Sequence, residues 1–371
     1  MEYPKHFKTH PAVFAAGEDY LIMIPTEDEV IVKLRVGAKT YYDDYMGIIR
    51  SHTSMHKVKV PMADLDAAGG YTVVYRKMIE RLAYFPTSEE ELSAEYSFKP
   101  LPQAGDIRIY HISDAHNMRQ EPVAACRAFG DIDLLILNGD IPDEASAPEK
   151  YLTIYEVASD LTEGTLPVIC TRGNHDNRGM FSENIADYLP TVNGRTYYSV
   201  RIGRIFGLLL DCGEDKEDSH AAYGGTTCFH DFRLRQTEEL TRMAHEGKLY
   251  DSEAKYRLCI CHIPFTYMDR KPFDIEDEIY CEWARLMREF AKPNLMLFGH
   301  NHVAEVWRKG CEKDTRGQAC DAVIGGYPMF VGQQYSERGY VGTGILLSGG
   351  VARISFTSSN GQIVDEETIE L

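Results

Sequence analysis

Five short stretches of this chain carry the residue types that hold metal ions. They read Asp114-Ala115-His116, Gly139-Asp140, Gly173-Asn174-His175-Asp176, Cys261-His262 and Gly299-His300-Asn301-His302. Each follows a short apolar run, at 107–112, 134–138, 168–170, 258–261 and 295–298. Asp-x-His and His-x-His put two side chains on one side of an extended segment, because side chains alternate with period 2. Each pair is therefore expected to reach one centre. Glycine ahead of Asp140, Asn174 and His300 is expected to let the backbone turn tightly and approach an ion closely. Carboxylate, amide oxygen and imidazole without thiolate suit Zn, Mn or Fe better than Ca or copper(I). Seven such ligands are too many for one tetrahedral zinc. They suit two ions roughly 3.5–4 Å apart that share a carboxylate and activate water.

Each motif alone has an ordinary structural explanation. Asp-Ala-His serves as a helix cap, and Gly-Asp is plain turn chemistry. His262, close before Pro264, fits a loop histidine. Five motifs in one chain, each at the end of an apolar run, make coincidence a poor account. His111, His220, His230 and His245 stand outside these stretches and are expected to be surface or core residues.

The elements that must position these residues divide the sequence in two. From Asp106 onward, short apolar strands alternate with helical candidates near 122–129 and 148–161, which implies an α/β layer structure with parallel pairing. Residues 197–200 and 204–210 read as a hairpin turned at Gly203, and 232–246 and 275–290 as further helices. Strands return at 344–347 and 351–356. Before residue 100 the pattern differs. Residues 30–36, 58–62 and 71–75 alternate apolar and polar, as in a small antiparallel sandwich. The stretch 65–75, centred on Gly69-Gly70-Tyr71, is similar to the corner of fibronectin type III domains, where a Tyr bonds back to the preceding loop. The expected division is an N-terminal β-sandwich domain over 1–100, a linker over 101–105 beside Pro100, and a larger domain over 106–371.

Composition narrows the function classes. The 371 residues carry 57 acidic side chains against 39 Lys and Arg, a formal charge of −18. That balance repels nucleic acid and anionic lipid, so no nucleic-acid partner is expected. No apolar run approaches the roughly 18 residues of a membrane span, and the first 20 residues have no signal-peptide core. Nine Cys without a CxxC spacing read as reduced thiols in a cytoplasmic protein, with Cys170, Cys212, Cys259 and Cys261 in apolar surroundings. Cys311 and Cys320 flank a polar loop.

In order and in full, the five motifs resemble the pattern of the calcineurin-like metallophosphoesterases. Tyr197-Tyr198-Ser199, the strand end at Leu210-Asp211 and the stretch 236–240 extend the resemblance, which covers Asp106 to the C-terminus. It implies two facing mixed sheets flanked by helices. It also implies one ion held by Asp114, His116, Asp140 and His302, and a second held by Asp140, Asn174, His262 and His300. Asp140 would bridge. His175 would leave the ions alone and donate to the phosphoryl group or leaving oxygen, oriented by Asp176. The ions would polarise a phosphate ester and lower the pKa of a bound water, and the resulting hydroxide would attack phosphorus in line.

A β-sandwich ahead of such a domain resembles purple acid phosphatases. Those enzymes place a tyrosine ligand three residues after the bridging Asp, where this chain has Asp143. A ferric-tyrosinate centre is therefore not expected. The competing reading is a catalytically silent scaffold of the same fold, but such scaffolds lose ligands and here every one is present. Arg172, Arg178 and Tyr223 lie near the motifs and are candidate contacts to a small-molecule phosphate ester. The sequence gives no sign of oligomeric state.

Overall fold

The computed structural model describes residues 2–265, 276–308, 329–332, 334–336 and 339–371, with only the backbone path given for 329–332 and 334–336. Cys311 and Cys320 lie outside the described residues.

Two mixed sheets carry the site. In the larger one, Ile107–Ile112, Leu134–Asn138 and Pro167–Thr171 lie side by side in parallel. Gly339–Ser348, Val351–Ser358 and Ile363–Glu370 continue it antiparallel on one flank. The smaller sheet runs Tyr198–Ile202, Ile205–Leu209, Tyr256–Ile260, Leu295–Phe298, Met329–Gly332, Ala304–Trp307. Tyr198–Ile202 and Ile205–Leu209 form the expected hairpin, with Gly203 at φ 51° in its turn.

Alternation along the smaller sheet decides where its faces go. Leu258, Ile260, Leu295 and Leu297 enter a core shared with Ile109, Ile112 and Leu137 of the larger sheet. Cys259, Cys261, Met296 and Phe298, one residue out of phase, enter a second core with Leu240 and Trp283. Leu240 lies on the helix Phe229–His245, and Trp283 on Asp277–Leu286. Helices Gln120–Phe129 and Pro148–Thr162 pack on the larger sheet. The expected layered α/β class with helix-flanked mixed sheets is therefore observed.

The strand-rich N-terminal region is consistent with a sandwich, and its strands take two different paths. Val30–Val36, Lys39–Tyr42, Gly70–Glu80 and Leu92–Ser97 form a separate antiparallel sheet. Ala12–Ala16, Asp19–Pro25 and Met55–Pro61 instead extend the larger sheet, because Ala12–Ala16 pairs in parallel with Pro167–Thr171. Sheet hydrogen bonding thus runs across the sequence boundary near 101–105. Tyr71 differs from expectation in the same sense. Its hydroxyl donates to the Gly164 carbonyl at 2.9 Å rather than to the preceding loop, tying the N-terminal sheet to the turn after Pro148–Thr162. Among the described residues no helix is long and apolar enough to cross a membrane.

Candidate metal centre

All five ligand-bearing stretches leave the C-terminal ends of strands, three from the larger sheet and two from the smaller. Neighbouring parallel strands end on the same edge, so their exit loops meet. The loops brace one another through backbone bonds. Asp114 N donates to Gly139 O at 3.1 Å, His116 N to Asp140 O at 3.0 Å and Gly299 N to His262 O at 2.8 Å. His300 N donates to the Asp114 carboxylate at 3.0 Å.

The pleat is not what aligns the paired ligands, contrary to the sequence argument. Asp114, His116, His300 and His302 have φ of 52°, 44°, 68° and 52°, and Asp140 has 53°. These are left-handed backbone conformations, outside any strand. Twelve non-glycine residues have positive φ among the described residues, and five of them are these proposed ligands. Asp, Asn and His tolerate the left-handed region best, and each such residue costs on the order of 1–3 kcal/mol unless the surroundings hold it. The cross-braced loops are those surroundings. The glycines serve the turns themselves. A Cβ on Gly139 would stand 2.6 Å from the Gly173 backbone, and one on Gly173 would stand 2.2 Å from Asp140 Oδ1.

Three groups of donor atoms converge, each within 4.8 Å: Asp114, His116 and His302; His116, Asp140 and His175; and Asp140, His262 and His300. His302 Nε2 lies 3.3 Å from Asp114 Oδ1 and 3.4 Å from His116 Nε2. His262 Nε2 lies 3.0 Å from Asp140 Oδ2 and 3.8 Å from Asp114 Oδ1. One terminal atom of the Asn174 amide stands 2.9 Å from His300 Nδ1 and 3.2 Å from Asp140 Oδ2; the other stands 2.9 Å from Arg178 Nη2. With nitrogen toward His300 the amide satisfies its hydrogen bonds without an ion. With oxygen there, it presents a lone pair to a cation between the three groups.

Charge in this pocket is compressed. Burial would lower the pKa of His262, but Asp140 and Asp114 reverse that and raise it to about 10. Burial would raise Asp140, but the charge of His262 outweighs it and holds the carboxyl below its usual range. His300 falls to about 4 through burial and the His262 charge. His116 is lowered by burial against the pull of Asp140 and Asp114. Without an ion, the buried carboxylates are thus balanced by a proton on His262, whose Nδ1–H is committed to the Asn138 carbonyl at 2.7 Å. A cation would take the position of that proton, facing Nε2. The donor set of hard oxygens and imidazoles fits a divalent ion.

Around the donors, the other expected residues fall unevenly. His175 N donates to Asp140 Oδ1 at 2.7 Å. Its ring bridges the Asp143 carbonyl, 2.7 Å from Nδ1, and Arg178 Nη1, 2.8 Å from Nε2. Asp176 was expected to orient this ring and does not. Its Oδ2 accepts from Asp140 N at 2.9 Å and Gly173 N at 2.7 Å, so it fixes the turns that carry the ligands. Burial and the Asp140 charge raise the Asp176 carboxyl to about 7. Arg178 reaches His175 while Glu214 (3.0 and 2.9 Å) and Asp215 (3.2 Å) grip it. Tyr223 donates to the same two carboxylates. Arg172 lies 2.7 Å from Asp211, with its guanidinium 5.5 and 5.1 Å from the rings of Phe229 and Phe232.

Sequence reasoning missed Ser113, which donates to Asp114 Oδ2 at 2.6 Å, and the Glu214–Asp215 pair. The pair follows Ile205–Leu209, so one more strand end with acidic residues was there to be read. His111 is a core residue, buried beside Asn138, and His230 and His245 are exposed, as expected.

Residues 107–304, more than half of the chain, match the family model of the calcineurin-like phosphoesterases. No curated protein matches the chain by sequence. Among solved structures, the chain is similar to purple acid phosphatase PPD1 from seeds of yellow lupin (Lupinus luteus), with a TM-score of 0.58 and 12% identity over 98% of this chain and 74% of that one. It is also similar to PhoD, with a TM-score of 0.56 and 11% identity over 100% of this chain and 90% of that one. At such identities the likeness is one of fold. With its converging Asp, Asn and His donors, the chain belongs to the calcineurin-like phosphoesterase family, metal-dependent hydrolases of phosphoesters.

Proposed function

We propose that this protein hydrolyses a small-molecule phosphate monoester or diester at a centre of two transition-metal ions, Mn, Zn or Fe. The observation that carries the reading is the convergence of three donor groups, the first two linked through His116 and the last two through Asp140. Asp114, His116, Asp140 and His302 would hold one ion, and Asp140, Asn174, His262 and His300 the other. Bound there, the ions would polarise the phosphoryl oxygens and activate a water.

The chain's own residues supply the rest. His175 joins His116 and Asp140 in one of the converging groups but is left out of both proposed ion sets. With Nδ1–H on the Asp143 carbonyl and Nε2 accepting from Arg178, its donation toward the leaving oxygen would need Nε2 freed from Arg178 and carrying a proton. Its ring is held by the Asp143 carbonyl and Arg178. Asp176 keeps the Asp140 and Gly173 turns in place. Arg178, gripped by two buried carboxylates, is a fixed cation beside the site. Residues 1–100, three of whose strands extend the larger sheet, would act as a sandwich-like N-terminal region beside the catalytic domain at 106–371. Cytoplasmic function is supported by the buried thiols Cys126, Cys170, Cys212, Cys259 and Cys261, of which Cys212 and Cys261 meet in an Sγ···Sγ hydrogen bond at 3.5 Å.

The test is hydrolysis of a panel of phosphate esters by the purified chain loaded with Mn, Zn or Fe. Turnover that disappears with chelator and returns with metal is expected. No turnover of any ester with any of the three metals would replace this reading with that of a silent scaffold.

A further inference from the structure

Arg178, whose Nη1 touches His175, is also a wall of a cleft of about 840 Å³. A second cleft of about 500 Å³ adjoins it, and the two share Arg172, Phe232 and Arg235. Phe232, Arg235, Glu239 and Arg242 recur at three- and four-residue steps along the helix Phe229–His245. They form one continuous stripe about 15 Å long. The two clefts together are a groove along that stripe, starting beside the catalytic histidine.

The lining departs from the rest of the molecule. The chain carries a formal charge of −18, yet Arg172, Arg178, Arg195, Lys216, Arg235 and Arg242 line the groove against four Glu. Most of these cations are committed: Arg172 to Asp211, Arg178 to Glu214, Arg195 and Arg242 to Glu239. Arg235 makes no ion pair among the described residues. It is exposed where the two clefts meet. Beside it the partly exposed rings of Phe229 and Phe232 stand edge to face, with centroids 5.9 Å apart. Arg172 lies over both rings, and the ring surface left partly exposed next to a guanidinium without an ion pair suits a ring that carries an anion.

We propose that this groove binds the leaving group, and that the substrate is a phosphate ester whose leaving group has an aromatic ring and a second anionic group, the chemistry of a nucleotide. The proposal rests on the phosphoesterase reading above. In hydrolysis the water oxygen bonds to phosphorus, the ester P–O bond breaks, and the leaving oxygen takes up the proton that the attacking water gives up. A leaving group directed past Arg178, which caps His175 Nε2, enters the groove. Each cleft by itself has the volume of a small-molecule site, and the groove leaves a short alkyl leaving group without contacts at Arg235.

Three monoesters separate the claims: glycerol phosphate with neither feature, phenyl phosphate with a ring alone, and adenosine 3′,5′-bisphosphate with ring and anion. The metal-loaded protein should favour the bisphosphate by kcat/KM. Arg235→Ala should cut its preference over phenyl phosphate roughly 10- to 100-fold, the weight of one charge-assisted hydrogen bond, chiefly through KM. Calorimetry supplies a readout apart from turnover. With inorganic phosphate saturating the metal centre, adenosine 5′-monophosphate should bind the wild type and bind Arg235→Ala more weakly. An unchanged substrate preference, or loss of binding of equal size with adenosine, would overturn the groove assignment while leaving the phosphoesterase reading in place. Binding that depends on Arg235 in a protein that turns over none of the three would do the reverse.

Discussion

The two halves of the metal centre sit in different solvents. Asp140, His262 and His300 have side chains 2%, 2% and 14% exposed, and Asn174 is buried beside them. The other half combines a buried Asp114 with His116 at 21% and His302 at 44% exposure. In the buried half the carboxylates cannot be balanced by water, so a proton on His262 balances them until a cation does. In the open half only the imidazoles reach water, since Asp114 is as buried as Asp140. Of the two proposed ions, burial would make one a competitor with a proton and the more open imidazoles would leave the other accessible to substrate and to exchange. In the proposed assignment Asp140 is the one ligand shared by both halves, which makes it the point where the contrast can be broken.

The largest effect is expected there. Asp140→Asn removes the charge shared by both halves, so both ions should be lost and turnover should fall to background. Elemental analysis after gel filtration checks it. Retention of one full equivalent would show that the halves do not share this residue.

Next comes the loss of chemistry without loss of metal. His175→Ala should keep both ions and lower kcat roughly 100- to 10,000-fold. The loss should shrink for esters with very good leaving groups if the residue protonates the leaving oxygen. Loss of an ion in this variant would make His175 a ligand.

The pH dependence of metal binding should separate the halves directly. With the His262 pKa raised to about 10, its proton is present below that pH and must leave when an ion enters. Affinity of the buried half should therefore weaken as pH falls from 10, by up to about tenfold per unit for this one proton. His116 in the open half is held below its ordinary value by burial, so it has less of a proton to release on metal binding than His262. Proton release per ion, measured in two buffers of different ionisation enthalpy, should be larger for the buried half. Equal release from both ions would remove the contrast.

The smallest effect belongs to Asp143. Its carboxylate is half exposed, with Oδ1 3.7 Å from His116 Nδ1 and 3.8 Å from His175 Nδ1. Asp143→Asn should keep both ions and change kcat by only a few-fold, since His175 leans on the Asp143 carbonyl and not its carboxylate. Iron-loaded protein should lack a tyrosinate charge-transfer band from this position. Loss of metal in the variant would shift the ligand assignment by one motif.

The same contrast between buried and open surroundings explains what the sequence revealed. The donor residues that converge were legible, because only a few residue types bind such ions and five motifs stood at the ends of apolar runs. Their backbone was not, because left-handed φ at Asp114 or His300 is imposed by neighbouring loops and leaves no pattern in the local sequence. Val30–Val36 was visible as a strand because one face is buried and the other is partly wet. Ala12–Ala16 and Asp19–Pro25 are buried almost throughout, so they show no alternation, and no periodicity test finds a strand covered on both sides. Those two strands are the ones that join the N-terminal region to the catalytic sheet. The Arg178–Glu214–Asp215 brace joins residues 36 and 37 positions apart, a distance at which charge pairing leaves no sequence signal.

One measurement tests the central claim most directly. Crystals of the protein loaded with Mn or Zn, with anomalous scattering recorded at the metal edge, should show two peaks on either side of the Asp140 carboxylate. One should be bounded by Asp114, His116 and His302, the other by Asn174, His262 and His300. A single peak, or two peaks with no carboxylate in common, would contradict the account.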